Sequence, residues 1–122
     1  MSTSSQAANP PHPTISAHRV EGTPVYNTRG ERIGRIDDLM IEKVSGSVTS
    51  AILSFGQVFG LGGDRYPLPW SMLTYDVGRK GYVVDEERLK SAPTLPGQGR
   101  AESDLPWRED VYRYWAAPTY WV

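Results

Sequence analysis

Hydrophobic residues in the middle of the chain occur in short, β-branched runs separated by Gly, Asn and Asp, a pattern typical of strands joined by turns. The pattern predicts six strands between residues 19 and 92, in the segments TPVYN, RIGRIDDLMIEK, VTSAILSF, RYPLP, WSMLTYDV and YVVD. The segment DEERLKSAP predicts one short helix, because Asp85 is a candidate N-cap and Pro93 follows the last turn. The sequence therefore predicts an all-β fold, a small six-stranded β-barrel with one short helix.

The second predicted strand has an irregularity in its alternation. Ile33 and Ile36 are three positions apart, whereas Leu39 and Ile41 are two apart. Because side chains change face at every residue of a strand, an extra residue is needed to bring these positions to one face. We therefore expect a β-bulge near Gly34, since glycine accepts the backbone conformation that a bulge requires.

The third predicted strand is apolar on both faces. In VTSAILSF, Ala51, Leu53 and Phe55 share one face, and Val48 and Ile52 lie on the other. A strand of this kind suits a barrel wall whose outer side is covered by something else. The fourth strand, RYPLP, contains two prolines, which confine it to a sheet edge or to a strand end.

The segments that flank this region differ from it in composition. Residues 1–18 carry no charged side chain and too little apolar surface to offset the entropy of ordering, so we expect a disordered N-terminal arm. Residues 19–92 are the predicted barrel domain. Residues 93–106, PTLPGQGRAESDLP, are typical of a linker. Residues 107–122, WREDVYRYWAAPTYWV, form an aromatic C-terminal segment.

The C-terminal segment contains six of the eleven Trp and Tyr residues of the chain. Disordered segments are depleted in aromatic residues, so this segment is expected to dock on a folded surface. It lies back across its own barrel, over Val48 and Ile52, or it anchors a partner or a second copy, as Trp and Tyr often do at interfaces. Stacking of nucleic-acid bases on the rings is a third alternative, which the acidic residues Glu109 and Asp110 oppose. The candidate partner-binding residues are Trp107, Tyr112, Tyr114, Trp115, Tyr120 and Trp121.

Composition limits the function classes. The 122 residues suffice for one small domain, and a formal net charge of −1 does not supply the basic surface that sequence-independent nucleic-acid binding requires. The absence of cysteine excludes disulfides, thiolate nucleophiles and iron–sulfur clusters. No apolar run approaches the roughly 20 residues of a membrane helix, and the N-terminus lacks the features of a secretory signal. A soluble cytoplasmic protein is therefore expected.

The glycine-rich stretch FGQVFGLGGDRYPLPW is a candidate phosphate-binding loop. Its glycines, Gly56, Gly60, Gly62 and Gly63, fit neither Gly-x-x-x-x-Gly-Lys-Ser/Thr nor Gly-x-Gly-x-x-Gly. A dinucleotide-binding loop also leads into a helix, which RYPLPW cannot form. We therefore interpret the stretch as a wide connection between strands, and no cofactor is predicted.

Histidines and clustered carboxylates are further candidates for chemistry. His12 and His18 lie six positions apart with no carboxylate between them, which makes a poor metal site. Asp37 and Asp38 are neighbours on a strand and face opposite sides, so they do not share a site easily. The acidic run that begins at Asp85 is explained by a helix N-terminus. No nucleophile–base pair stands out, so no metal ligand and no catalytic residue is predicted.

Arg29, Arg32 and Arg35 are candidates for a small basic patch that contacts RNA phosphates. Acidic residues are interleaved with them. This charge pattern favours an ordinary mixed surface, and nucleic acid is therefore not an expected partner.

Several motifs resemble, in order and spacing, those of the PRC-barrel domain family over residues 19–92. They are Gly-x-x-Val-Tyr, then Gly-x-x-Ile-Gly-x-Ile-x-Asp, a glycine turn, an apolar strand, a glycine-rich loop and a closing Pro-Trp-x-x-Leu. The matching positions are Gly22, Val25, Tyr26, Gly30, Ile33, Gly34, Ile36, Asp38, Gly46, Pro69, Trp70 and Leu73. The resemblance implies a small six-stranded barrel that binds proteins and has no shared catalytic residues.

We therefore expect a non-catalytic protein–protein interaction module that self-associates as a homodimer. The family includes the cytoplasmic part of the photosynthetic reaction-centre H subunit and a domain of a ribosome maturation factor. The resemblance thus leaves two alternatives, an accessory role in ribosome or RNA maturation and an accessory role in a photosynthetic or electron-transfer membrane complex. The second implies peripheral association without membrane insertion. A small enzyme is a further alternative, and it has the least support from the residues.

Overall fold

The computed structural model of the protein describes residues 13–56, 64–95 and 101–121. The strands are β1 (Pro24–Tyr26), β2 (Arg32–Ile41), β3 (Val48–Phe55), β4 (Arg65–Pro69), β5 (Thr74–Asp76) and β6 (Gly81–Val83). The helices are α1 (Ala17–Val20), α2 (Glu86–Leu89) and α3 (Arg108–Trp115), and a 3-10 turn spans Trp70–Met72. The described chain is therefore mainly a sheet with short helices before and after it.

The six strands form one sheet in the order β4–β3–β2–β1–β6–β5. Neighbouring strands are antiparallel except β1 and β6, which are parallel. The expected six-stranded β fold is therefore confirmed. The sheet does not close on itself, however, because β4 and β5 are its outer strands and no ladder joins them in the described residues.

Helix α2 confirms the short helix predicted after Asp85. The Asp85 carboxylate accepts hydrogen bonds from the backbone N–H groups of Glu87 at 3.0 Å and Arg88 at 3.4 Å. These bonds satisfy N–H groups that have no partner within the helix, which is how an N-cap stabilises a helix start.

Two further helices correct the expectation of a single helix. Helix α1 begins at Ala17, within the predicted N-terminal arm, and α3 lies within the aromatic C-terminal segment. The buried residues of α3 are Val111, Tyr112 and Trp115. Their positions i, i+1 and i+4 lie on one face of a helix. An eight-residue helix is marginal on its own, so packing of this face is what stabilises α3.

The β-bulge expected near Gly34 is present. Val25 of β1 pairs with Gly34 of β2, but the next residue, Tyr26, pairs with Arg32, so Ile33 is the extra residue. Two further register shifts occur on the β3 side of β2, between Ile36 and Asp38 and between Met40 and Ile41, so a single bulge near Gly34 does not account for the whole strand. An extra residue in β2 reverses the inward and outward alternation of that strand, which is why its apolar positions have mixed spacing.

Strand β3 is buried on both faces along most of its length. The residues from Thr49 to Leu53 are all buried. Helix α3 packs against the adjacent strand β4, and the Tyr112 hydroxyl donates to the Thr49 carbonyl oxygen at 2.6 Å. The expected cover of this strand is therefore supplied by the C-terminal segment of the same chain.

Strand β4 is an outer strand, as its prolines predict. Pro67 and Pro69 have no N–H group and cannot donate a ladder hydrogen bond. At the first residue of β4, the carbonyl oxygen of Arg65 accepts a hydrogen bond from the N–H of Leu95 at 2.9 Å. The free edge of β4 is therefore poorly suited to pairing with another strand.

Gly34 lies where β2 approaches β3 closely, and this contact generates a first prediction. A Cβ at Gly34 would lie 2.1 Å from the Ser54 carbonyl oxygen and 2.6 Å from the Phe55 ring. Gly34→Ala is therefore expected to lower the free energy of unfolding by about 1–3 kcal/mol, because β3 must move to accept the methyl group. Urea unfolding followed by circular dichroism measures the loss.

Gly56→Ala is the matched control for this prediction. In the described part of the chain nothing lies within 4 Å of a Cβ at Gly56. Its substitution is expected to change the free energy of unfolding by less than about 0.5 kcal/mol. Equal losses in the two variants would contradict the role assigned to the close approach at Gly34.

Candidate functional site

Three of the six aromatic residues proposed for partner binding are buried in the core of the chain itself. Trp107 lies at the start of α3, and Tyr112 and Trp115 lie on its buried face. They join the same hydrophobic cluster as the sheet residues Leu53 and Leu68. These three side chains therefore match the alternative in which the segment packs on its own barrel, and their rings are not accessible to a partner.

Arg88 of α2 attaches this helix to α3. Its guanidinium donates to the Tyr114 carbonyl oxygen at 3.2 Å, and the Tyr114 hydroxyl donates to the Arg88 carbonyl oxygen at 2.5 Å. The guanidinium carbon also lies 4.8 Å from the centre of the Trp115 ring, within cation–π range. Two reciprocal hydrogen bonds and a ring contact thus hold the half-buried Tyr114 in place.

The last two aromatic residues, Tyr120 and Trp121, fold back against α3. The Trp121 ring packs edge-to-face on Tyr112, with centroids 4.9 Å apart, and the Arg108 guanidinium lies 4.4 Å from the Trp121 ring centre. The Tyr120 hydroxyl donates to the Asp104 carboxylate and accepts from Arg108. Burial, followed by the bond to Asp104, raises the pKa of the Tyr120 hydroxyl, so it remains a neutral donor.

Tyr114, Tyr120 and Trp121 remain partly exposed. Their rings lie against the guanidinium groups of Arg88 and Arg108, which restrict their rotation. A partner-binding role for these three residues stays a prediction, and it concerns only the surface that the segment leaves open after docking.

A buried polar cluster that sequence analysis missed centres on Asn27, which is 1% exposed. Its side-chain amide donates to the carboxylates of Glu31 at 2.8 Å and Glu86 at 2.9 Å. The side-chain carbonyl oxygen of Asn27 accepts hydrogen bonds from the backbone N–H groups of Arg29 and Glu31. The cluster joins the β1–β2 turn to α2. The local signal in the sequence was an asparagine before a turn. Asparagine side chains often accept hydrogen bonds from backbone N–H groups two residues on, so this residue type indicates such a turn.

The basic residues considered for RNA binding are largely paired with carboxylates. The Arg29 guanidinium lies 2.9 Å from Glu31 and 3.0 Å from Glu86, and the Arg35 guanidinium lies 3.5 Å from Asp37. Hydrogen bonding to Glu31 raises the pKa of Arg29. The interleaved charges predicted from the sequence are thus in contact, which weakens the positive potential of this surface.

The other candidates for chemistry do not converge. His18 is exposed on α1, whereas His12 lies outside the described residues. Gly60, Gly62 and Gly63 of the glycine-rich stretch also lie outside them. Asp38 accepts a hydrogen bond from the N–H of the residue that follows it. Within residues 13–56, 64–95 and 101–121, no group of three or more His, Asp or Glu side chains is arranged to hold a metal ion.

Strand β5 is the second outer strand, and it exposes apolar side chains. Tyr75 is 48% exposed, and Val77, the residue after the strand, is 79% exposed. Leu73, just before the strand, packs partly against the core. Leu73 and Tyr75 are two positions apart and share one face of the extended chain, whereas Val77 is the first residue of the turn that leads to β6.

Two open clefts, each of about 680 Å³, meet at Tyr75. The Tyr75 ring stands edge-to-face on Tyr82, with centroids 5.1 Å apart. The apolar residues that line the clefts include Ile15, Pro24, Tyr82, Met72, Val77, Val83 and Trp115, and the charged ones are Arg19, Glu21, Asp76, Arg79, Lys80, Asp85 and Arg88. Mixed apolar and charged surface beside an open strand edge is compatible with docking of another polypeptide.

The chain matches the family model of the PRC-barrel domain over residues 12–89. The chain belongs to the PRC-barrel family. PRC-barrel domains are known in general as protein-interaction modules. The matched range contains all six strands with α1 and α2 but ends before α3. No curated protein matches the chain. The aromatic segment therefore lies outside the matched range, although its buried residues belong to the same hydrophobic core.

The PRC motif residues lie in the core and at the turns. Gly30 and Gly46 adopt φ angles of +85° and +76°, which side chains other than glycine rarely adopt. Trp70 and Leu73 pack partly against the core. Four motif residues are fully or almost fully buried: Val25, Ile33, Ile36 and Pro69. Packing and backbone conformation account for these positions.

The bond between Tyr112 and Thr49 provides a second prediction. Tyr112→Phe removes the donor to a buried carbonyl oxygen and is expected to lower the free energy of unfolding by about 1–3 kcal/mol. Tyr75→Phe is the control, because the half-exposed Tyr75 side chain makes no hydrogen bond within the described chain and the loss of its hydroxyl should have little effect. Chemical unfolding of both variants provides the measurement. A harmless Tyr112→Phe would show that the bond does not help to dock α3.

The Asn27 cluster predicts a pH dependence. Hydrogen bonds from Asn27, and then from Arg29, lower the pKa of the Glu31 carboxyl. Its contribution to stability is therefore present above the ordinary glutamate pKa, and it is lost as the pH falls from there through the lowered pKa of the folded state. Melting temperatures measured across this acidic range should fall less steeply in Glu31→Gln than in the unaltered protein. Identical slopes would contradict the prediction.

Proposed function

We propose that this PRC-barrel protein is a non-catalytic protein-interaction module that self-associates as a homodimer in the cytoplasm. The observation that carries the proposal is the open edge of β5, where Tyr75 and Val77 expose apolar surface. An unpaired strand edge with exposed apolar side chains is a template for association with another chain, and proteins that do not use such an edge normally block it.

The docked aromatic segment gives the proposal further support. Tyr114, Tyr120 and Trp121 are held by two arginines, so little side-chain entropy remains to be lost when their outer faces meet a partner. Tyr, Trp and Arg are also the residues most often found at the energetic centre of interfaces. This surface is a second place at which a partner would gain affinity.

The proposal that the protein is not an enzyme is supported by the contacts that its ionisable side chains make. Glu86 accepts hydrogen bonds from Asn27 and Arg29, and Asp76 pairs with Arg79 across a tight turn at 2.8 Å. These groups hold turns and helix ends together. No nucleophile–base pair involves them in the part of the chain that the structure describes.

The two alternatives have less support. A role in RNA maturation calls for unpaired basic side chains, whereas Arg29 and Arg35 contact carboxylates. A role beside a membrane complex rests on the family resemblance alone. Among the described residues, no helix has the length and apolar character needed to cross a membrane.

The self-association can be tested by light scattering over a wide range of protein concentrations. The molar mass is expected to rise towards twice that of one chain. Val77→Lys is expected to weaken the dimer about tenfold, because the ammonium group resists removal from water. The effect should persist at high salt, since apolar contacts are not screened as charge contacts are.

Val44→Lys is the matched control, because Val44 is 94% exposed at the turn between β2 and β3 and lies far along the sheet order from β5. This variant should dimerise as the unaltered protein does. A mass of one chain at every concentration would contradict self-association. A steep loss of the higher-mass species with salt would instead favour binding through charges or nucleic acid.

A pull-down of the full-length protein from its native lysate, with and without RNase, separates the remaining alternatives. A specific protein that survives RNase would support the interaction module. Ribosomal proteins or RNA that disappear after treatment would favour the role in ribosome maturation.

A further inference from the structure

Helix α2 makes contacts in two directions. Its first residue, Glu86, is 6% exposed and accepts hydrogen bonds from Asn27 at 2.9 Å and from Arg29 at 3.0 Å. Two residues on, the Arg88 guanidinium donates to the Tyr114 carbonyl oxygen at 3.2 Å. One short helix therefore holds the β1–β2 turn with one side chain and α3 with another.

We propose that α2 couples the β1–β2 turn to the docking of the C-terminal segment, so that weakening the Asn27 cluster releases α3 more often from the sheet. Release exposes the aromatic rings that docking buries. The use of those rings by a partner rests on the interaction function proposed above, whereas the coupling itself does not depend on self-association.

Helix α2 links its two contacts rigidly, because it consists of a single turn, Glu86–Leu89. Glu86 and Arg88 are two positions apart, so neither can shift without moving the backbone of the other. The Tyr114 hydroxyl donates to the backbone carbonyl oxygen of Arg88 at 2.5 Å, and this oxygen moves with the helix. A chain of hydrogen bonds joined by a rigid element is a physical route for coupling between two sites.

The docked state of α3 is one that a small change can shift. A helix of eight residues is marginal by itself, so α3 stays helical only while it is docked. The indole N–H of Trp115 is buried and has no hydrogen-bond partner within the described chain. On release it bonds to water, which offsets part of the free energy gained by burying the ring.

Release of α3 also leaves the sheet intact. All six strands precede this helix in the chain, and they pair only with one another in the described residues. No ladder hydrogen bond is therefore broken when α3 leaves. The C-terminal segment can open as a separate unit of lower stability than the strands, as segments at the edge of a fold often do.

The Asn27 cluster can be reached from the surface. The Arg29 side chain is 63% exposed, although its guanidinium contacts the buried carboxylate of Glu86. A contact made at Arg29 by another molecule therefore acts directly on a group that positions α2. Because coupling between two sites is reciprocal, loosening of α3 must also loosen the β1–β2 turn.

Hydrogen–deuterium exchange of the full-length protein, followed by mass spectrometry, tests the coupling. Peptides from residues 107–121 report on release of α3, and peptides from residues 24–36 report on the β1–β2 turn. Glu86→Gln removes the charge that Arg29 contacts and weakens the Asn27 cluster. It is expected to speed exchange in residues 107–121 about fivefold, although the substituted side chain does not bond to α3.

Glu87→Gln is the matched control, because it makes the same chemical change at the next residue of the same helix. The Glu87 side chain is 73% exposed and pairs with Lys90 at 3.0 Å, away from the Asn27 cluster. Exchange in residues 107–121 should stay within about twofold of that in the unaltered protein, since surface ion pairs of this kind contribute little.

Tyr114→Phe tests the same path from the other end. It removes the hydroxyl that bonds to the Arg88 carbonyl oxygen and should speed exchange both in residues 107–121 and, through α2, in the β1–β2 turn. Adding Glu86→Gln to Tyr114→Phe should speed exchange in residues 107–121 less than Glu86→Gln does alone, because one link of the path is already missing.

The outcomes separate this inference from the proposed function. Faster exchange at residues 107–121 in Glu86→Gln but not in Glu87→Gln, with less than additive effects in the double variant, supports the coupling. Acceleration confined to the β1–β2 turn overturns it, and so do fully additive effects. Equal acceleration in all strands shows global unfolding and overturns release as a separate event. The molar mass from light scattering decides self-association independently of these results.

Discussion

Strand β3 must be covered on both faces, and much of the structure depends on how this is achieved. The strands and loops that curve around the core cover one face of β3. The other cover comes from α3, whose Val111 and Tyr112 are buried and whose Tyr112 hydroxyl reaches the Thr49 carbonyl oxygen. The range matched by the PRC-barrel family ends before this helix. The aromatic C-terminal segment is therefore part of the core of this barrel, and the docking of α3 limits which aromatic rings remain available to a partner.

Local features of the fold could be predicted from the sequence because their causes are local. The alternation of apolar residues, the bulge beside Gly34 and the N-cap at Asp85 each depend on a few consecutive residues. The open sheet could not be predicted in the same way, since it depends on whether strands far apart in the chain pair. The Asn27–Glu86 contact was missed for the same reason, because it joins residues 59 positions apart.

For the candidate site, the composition of the C-terminal segment predicted that it docks, but not which side chains the docking buries. Six aromatic residues in sixteen positions correctly indicated docking, but a count of rings does not say which faces become buried. That outcome depends on the helical spacing of Tyr112 and Trp115 and on the position of Arg88, which comes from α2. The edge of β5 was missed as a site. Its sequence signal was the contrast between the proline-containing RYPLP and the proline-free stretch around Tyr75.

The difference between the two sheet edges has a consequence for the strength of association. Strand β5 has only three residues, so few backbone hydrogen bonds can form along it. A longer open edge would gain affinity from the backbone, but it would also pair with unrelated strands, because backbone groups are the same in every protein. With a short edge, affinity and selectivity must come mainly from the side chains beside it, Leu73, Tyr75 and Val77, and from the clefts that meet at Tyr75. A reversible interface that recognises side chains is therefore the kind of association that this edge favours.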